Sequence, residues 1–204
     1  MRSISPENQI QRRWTSAQVR DLIDESRPSP RYELIDGELI VTPSQGWPHQ
    51  IAVTEMLITL VKYLELQDAG VALSSPAALE LKPDTITQPD IFVTPRRLPG
   101  NADGMPTWAD IKELALTVEV ISPTSVRIDR ITKRDFYLDA GVPEYWIVDL
   151  DARMIERWIP TRETPEVIRN SLEWKPEGAE TPLIVDLVSL FDRIWKQHRK
   201  LVKR

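Results

Sequence analysis

The chain contains no cysteine and only two histidines, His49 and His198. It therefore has no disulfide framework and no thiolate metal site, and a multi-histidine zinc centre cannot be assembled within one chain. No apolar run is long enough to span a bilayer, and Met1 to Arg13 lacks the apolar core of a signal peptide. A cytoplasmic protein with no membrane partner is expected. Net positive charge is also lacking: 26 Lys and Arg stand against 31 Asp and Glu, a formal charge of −5. Bulk attraction to nucleic acid favours the opposite sign, so any such contact calls for a confined basic groove. No internal repeat or low-complexity tract interrupts the chain. What remains is ordinary for a globular protein: 204 residues, 41% of them hydrophobic and 28% charged, enough for one domain, 1–204, with a substantial core.

Periodicity and punctuation give the element order. Thr15-Ser16-Ala17-Gln18 reads as a capping box opening a short helix that Pro28 and Pro30 close. Arg31 to Thr42 reads as a hairpin turning on Asp36-Gly37, with Leu34 and Leu39 on one face and Glu33, Ile35, Glu38 and Ile40 on the other. A helix is expected from His49 to Leu66, a hairpin over Val71–Ser75 and Ala77–Lys82, and strands at Asp90–Thr94 and Leu114–Ile121. Pro95 to Ala109 reads as a long loop. Arg127 to Ala140 is predicted as a helix closed by Gly141, followed by a hairpin from Tyr145–Asp149 and Arg153–Ile159. Thr161 to Glu180 is polar and carries no clear pattern, Pro182 to Leu190 is apolar, and a basic amphipathic helix ends the chain. A helix between two strands suits a crossover in a mixed sheet. The expected class is α/β, a mixed β-sheet flanked by helices.

The informative feature is acidic. Asp90, in Gln88-Pro89-Asp90-Ile91-Phe92-Val93, and Glu119, in Leu116-Thr117-Val118-Glu119-Val120-Ile121, each lie in an apolar strand-like run. A carboxylate there is costly unless something pairs with it. Two of them at adjacent strand ends would make a hard-oxygen site of the kind magnesium uses together with water and a substrate phosphate. A nearby lysine could orient or help deprotonate a water. This chemistry is metal-assisted phosphodiester hydrolysis.

The order Pro89-Asp90 … Glu119 resembles the PD-(D/E)xK nuclease superfamily, although Ile121 occupies the place where that pattern has its lysine. The wider series adds Tyr32-Glu33-Leu34-Ile35-Asp36-Gly37-Glu38-Leu39, Pro48-His49-Gln50, Ser122-Pro123-Thr124-Ser125, Asp129, Lys133, Tyr137 and Gly141 to Asp149. It is similar to the Uma family of restriction-type endonucleases from about Val19 to about Trp158. The resemblance implies a restriction-endonuclease-like core at about 15–160 with a variable extension at about 161–204. It implies Mg2+ or Mn2+ held by Asp90, Glu119 and the Val120 carbonyl, with Lys133 as the displaced lysine and Glu38, preferred to Glu33, as a further acidic residue. It also implies nucleic acid, DNA first, as the partner. A homodimer would bring two sites to the two strands of a duplex.

Each residue has a plainer reading. Lys133 lies four residues after Asp129 and could form an ordinary helix ion pair, and Glu119 could sit in a buried salt bridge. Arg127, Arg130 and Arg134 are candidate phosphate contacts or a solvated basic face. His49, at a helix start, is a candidate phosphate contact or proton shuttle. Tyr137, Tyr145 and Trp146 read as core. The terminal helix, with Phe191, Ile194, Trp195, His198, Leu201 and Val202 at helical spacing, reads first as packed on its own domain and second as a DNA-backbone contact. Two other functions fit the same pattern: a catalytically degenerate nuclease fold that only binds nucleic acid, and an assembly module that self-associates through the terminal helix.

Overall fold

The structure is a computed structural model and describes residues 13–23, 29–96, 107–123 and 125–202. Residues 1–12 and Pro28, and most of the Pro95–Ala109 loop, on which expectations were placed, lie outside these residues.

A short helix, α1 (Ser16–Arg20), opens on Thr15, whose side chain accepts from Gln18 N while Gln18 caps the Thr15 amide in return. The hairpin β1 (Arg31–Ile35) and β2 (Glu38–Thr42) follows, in the register Leu34 opposite Leu39. Its two-residue turn puts Asp36 at φ 52° and Gly37 at φ 77°. That left-handed pair matches the right-handed twist of the flanking strands. The hairpin is tied to the rest of the chain through Leu34, whose N–H and C=O both pair with Ile86.

Helix α2 (Trp47–Gln67) starts behind Gly46, with Pro48 in its first turn, where a missing N–H costs nothing. His49, Ala52, Met56, Leu60 and Tyr63 recur every three or four residues and are all buried. The central sheet has six strands in sequence order: β3 (Val71–Ser74), β4 (Ile91–Thr94), β5 (Leu116–Val120), β6 (Tyr145–Asp149), β7 (Met154–Trp158) and β8 (Glu166–Ile168). Only β5 and β6 pair in parallel, so the mixed sheet needs one crossover. That crossover holds a six-residue π-helix (Ile128–Lys133) running into α3 (Arg134–Asp139). A separate two-stranded ribbon, β9 (Ser171–Trp174) with β10 (Leu183–Asp186), leads into α4 (Leu187–Val202).

Both faces of the sheet are covered, and the alternation of side chains decides what each face sees. Ile91, Val93, Val118, Val120, Trp146 and Val148 pack with α2, α4 and the β9–β10 ribbon. Phe92, Tyr145 and Ile147 pack with the β1–β2 hairpin and the crossover. Glu119 alternates with Val118 and Val120, and Asp90 with Ile91, so both carboxylates point to the hairpin-and-crossover side. The terminal helix buries Leu187, Leu190, Phe191 and Ile194 against this core while Arg193 reaches Glu55 on α2. It is packed on its own chain, and the arginines and lysines of its outer face point to solvent.

Two expectations change. Ala77–Lys82 is not a strand; it contributes only the isolated bridge Leu79 to Thr87. Pro76 has no N–H to continue the ladder beyond Ser75, and β3 pairs with β4 instead. The unpatterned stretch after Thr161 holds β8 and β9, so the sheet runs past residue 160. Among the described residues, no helix is long and apolar enough to cross a membrane.

Gly70 gives a local test of the sheet edge. At φ +146° a Cβ would lie 2.5 Å from the Thr94 carbonyl oxygen and 3.3 Å from Val93 Cγ1. Gly70→Ala is expected to destabilise by about 1–3 kcal/mol, read as a lower midpoint in urea unfolding. An unchanged midpoint would contradict this tight approach of β3 to β4.

Candidate active site

The open end of the hairpin, the start of β4, the end of β5 and the π-helix meet over a cleft of about 460 Å3. Local sequence explains why. The Gln88 side chain donates to Tyr32 O, its amide donates to Glu33 Oε1 and its carbonyl accepts from Arg31, so the hairpin clamps the residues just before Asp90. On the other side, Val120 N–H donates to Asp90 Oδ2 at 2.9 Å. The β4–β5 register ends at Ile91 opposite Val118. Two steps further the residue opposite Val120 is Pro89, which has no amide hydrogen for the Val120 carbonyl. A proline before the aspartate thus keeps the ladder from using an oxygen at the cleft.

Four carboxylates are buried here, with relative exposures of 0% for Glu33, 4% for Asp90, 2% for Glu119 and 3% for Asp129. Lys133 Nζ lies 2.8 Å from Glu33 Oε2, 2.9 Å from Glu119 Oε1 and 3.9 Å from Asp129 Oδ1. The π-helix makes this possible. Its wide turn leaves Asp129 and Lys133 both facing inward while Ile131 is exposed. Tyr145 OH anchors the turn by donating to the Asp129 carbonyl at 3.0 Å. Asp90 is held by Arg31 Nη1 at 2.7 Å from Oδ1 and by His49 Nε2 at 3.0 Å from Oδ2.

The charges do not balance. Four carboxylates, Glu33, Asp90, Glu119 and Asp129, gather here against the two cations Lys133 and Arg31. The pKa directions follow. Burial pushes the Glu119 carboxyl well above its usual range; Lys133 opposes this, and repulsion from Asp90, Asp129 and Glu33 adds to it. Burial likewise raises Asp129 against the pull of Lys133. For Asp90 burial also acts upward, but the hydrogen bond from His49 and the charge of Arg31 outweigh it and hold the carboxyl below its usual range. An ionised Asp90 needs a donor, so Nε2 is the protonated nitrogen of His49. Lys133 loses favour as a cation through burial, yet Glu119, Glu33 and Asp129 more than restore it and raise its pKa well above the usual value.

These directions fix a pH dependence. Folded Glu119 binds a proton more tightly than unfolded Glu119, so its contribution to stability falls as pH rises from about 4.5, its unfolded value, through its raised folded value. Asp90 acts oppositely: its contribution is present above 3.8 and is lost as pH falls through its lowered folded value. Glu119→Gln removes one excess negative charge and keeps an oxygen for Lys133. It is expected to raise the thermal midpoint of the metal-free protein at pH 8 by a few degrees, roughly 2–4 °C per kcal/mol gained, with a smaller gain at pH 5. A lower midpoint at pH 8 would show that the cluster has no charge excess.

The donor set suits a hard divalent cation. It offers carboxylate oxygens and a backbone carbonyl in a cluster with more carboxylates than cations, and no sulfur. Asp90, Glu119 and Val120 line one cleft. Among the described residues no three Asp, Glu or His side chains already converge in chelating geometry, so water or substrate oxygens would have to complete the coordination.

Of the residues singled out in the sequence, Asp90, Glu119, Val120, Lys133 and His49 come together at the cleft. Glu38 does not: it is exposed beside the Asp36-Gly37 turn, at the far tip of the hairpin. Glu33, three residues before that turn, is the hairpin carboxylate in the cluster. Arg127 is exposed, Arg130 is paired with Asp149 and Glu156, and Arg134 lies over the Trp158 ring at 4.7 Å. None of the three lines the cleft. Arg31 was not foreseen as a site residue. The signal was its position two residues before Glu33, on the same strand face and at the open end of the hairpin.

Comparison with known proteins places the family and the fold. The family described as "Uma2: Putative restriction endonuclease" matches residues 17–184. A solved structure from Anabaena variabilis ATCC 29413, described as a putative nuclease belonging to DUF820, superposes with a TM-score of 0.72 at 22% identity. The match covers 88% of this chain and 98% of that one, and it establishes the shared restriction-endonuclease-like fold. No curated protein matches the chain.

Proposed function

Because the chain belongs to the Uma2 family, we propose that it is a metal-dependent endonuclease that hydrolyses phosphodiester bonds in DNA. The family description gives the coarser class, a nuclease; the metal and the substrate are the proposal. The observation that carries it is the oxygen-only set of Asp90, Glu119 and the Val120 carbonyl lining one cleft, within a buried cluster that holds more carboxylates than cations.

Asp90, Glu119 and the Val120 carbonyl would hold Mg2+ or Mn2+. Such an ion, when bound, acidifies a water and offsets charge developing on the phosphate. Asp90 stays ionised through His49 and Arg31, so its oxygens are available as donors without a proton to lose. Lys133 is held as an ammonium by Glu33 and Glu119, so it acts by orienting a water and stabilising charge, not as a base. Arg31, at the cleft wall, is placed to meet a phosphate oxygen.

The second reading, a nuclease fold that only binds nucleic acid, is favoured by one observation. Both oxygens of Asp90 already have partners, in Arg31, His49 and Val120 N–H. Incubating linear and circular DNA with the protein, with Mg2+, Mn2+ or EDTA, separates the two. Metal-dependent cleavage that disappears in Glu119→Gln supports the enzyme. DNA retention with no cleavage in either metal supports the binding module.

A further inference from the structure

A second cavity, open to solvent and enclosing about 1370 Å3, adjoins the carboxylate cleft and shares Pro43, Gln45 and His49 with it. It lies just beyond the carboxyl ends of the parallel pair, where Ile121 follows β5 and Leu150 follows β6. That is where open α/β sheets bind ligands. One wall is Trp195 of α4, a half-buried indole standing edge-on to His198 at 5.5 Å. Asp149 and Asp151 also line it.

We infer that this cavity is a subsite for one unpaired base of the substrate strand, next to the phosphate in the carboxylate cleft. The inference rests on the nuclease reading of that cleft and adds what the neighbouring pocket reads. Three features select a base over another phosphate. Apolar side chains and an indole face suit a planar ring, which stacks on tryptophan without regard to sequence. Exposed Asp151 repels a phosphate, and Asp149 is satisfied by Arg130 and the Ala152 amide. Arg130, the one arginine on this wall, is already committed to Asp149 and Glu156. The lining shared with the catalytic cleft makes the two pockets neighbours along one strand. A paired base cannot enter such a pocket without leaving its stack, so the subsite favours single-stranded or locally opened substrate.

Two variants test it. Trp195→Ala removes the stacking wall. Ala152→Trp fills the cavity from its rim, and the backbone bonds of Ala152 to Asp149 and Arg169 do not involve the side chain that changes. Fluorescence anisotropy in EDTA compares a labelled twelve-nucleotide thymidine strand with an abasic strand carrying the same phosphates. Wild type should bind the thymidine strand about tenfold more tightly, the effect of roughly one stacked base. Each variant should bring the two strands within twofold of each other while keeping a cooperative thermal transition. Equal binding of both strands by wild type, no binding of either, or a preference that survives Ala152→Trp would overturn the subsite. The nuclease reading is tested separately by metal-dependent cleavage, so either can fail while the other stands.

Discussion

Lys133→Met should be the most destabilising single change in the cluster, costing about 3–5 kcal/mol. That is the range expected when one partner of a buried ion pair is removed and its counter-charges are left behind. The ammonium is 3% exposed and is the only cation within 4 Å of Glu33 and Glu119 among the ion pairs of the described residues. Without it, two buried carboxylates face each other across the vacated space, with Asp129 beside them. The thermal midpoint should fall by roughly 6–20 °C, at about 2–4 °C per kcal/mol for a chain of this size. Adding Glu33→Gln in the same chain should recover part of the loss, because it removes one of the stranded charges. A Lys133→Met protein that melts with wild type would show that the lysine is not coupled to the carboxylates. An ordinary surface pair between Asp129 and Lys133 would cost less than about 1 kcal/mol, so the experiment separates the two readings of this residue.

Cleavage should fall by about 10^2–10^3-fold in Asp90→Asn and in Glu119→Gln, the size of losing one group that stabilises transition-state charge. The pair is informative because stability should move differently. Glu119→Gln is expected to melt higher than wild type, whereas Asp90→Asn leaves Arg31 without its carboxylate and should melt lower. Inactivity in the more stable variant cannot be ascribed to unfolding. His49→Ala touches the reaction only through Asp90 and should cost about 10–100-fold, as partners of metal ligands do. Full activity in either carboxamide variant would remove that residue from the catalytic assignment.

The sequence made the strand-borne carboxylates legible because a single charge in an apolar run has few innocent explanations. Asp90, Glu119 and the parallel crossover follow from that pattern, and Asp36-Gly37 set the hairpin register correctly. The choice of Glu38 over Glu33 failed for a geometric reason. Alternation puts both on one face, but it does not say which end of the hairpin meets the sheet. The bonds from Leu34 to Ile86 and from Gln88 to Glu33 are long-range contacts that place the open end, not the tip, at the cleft. Arg127, Arg130 and Arg134 were judged from proximity in sequence to Lys133. The change from π to α winding at Lys133, invisible in composition, instead turns Lys133 inward, leaves Arg127 exposed and leaves Arg130 and Arg134 to other partners. β8 and β9 escape the sequence pattern because edge and ribbon strands carry exposed residues, as Val167 and Glu173 are, and lack the buried-run signature of β4 and β5.

Metal binding at Asp90 and Glu119 is tested by calorimetric titration of Mg2+ and of Mn2+ into the protein, into Asp90→Asn and into Glu119→Gln, with a non-cleavable phosphorothioate DNA strand present throughout. A site built on Asp90 and Glu119 gives a one-to-one binding heat in wild type that is lost or strongly weakened in both variants. No metal binding by wild type with the strand present, or equal binding by the variants, would contradict a metal site built on Asp90 and Glu119.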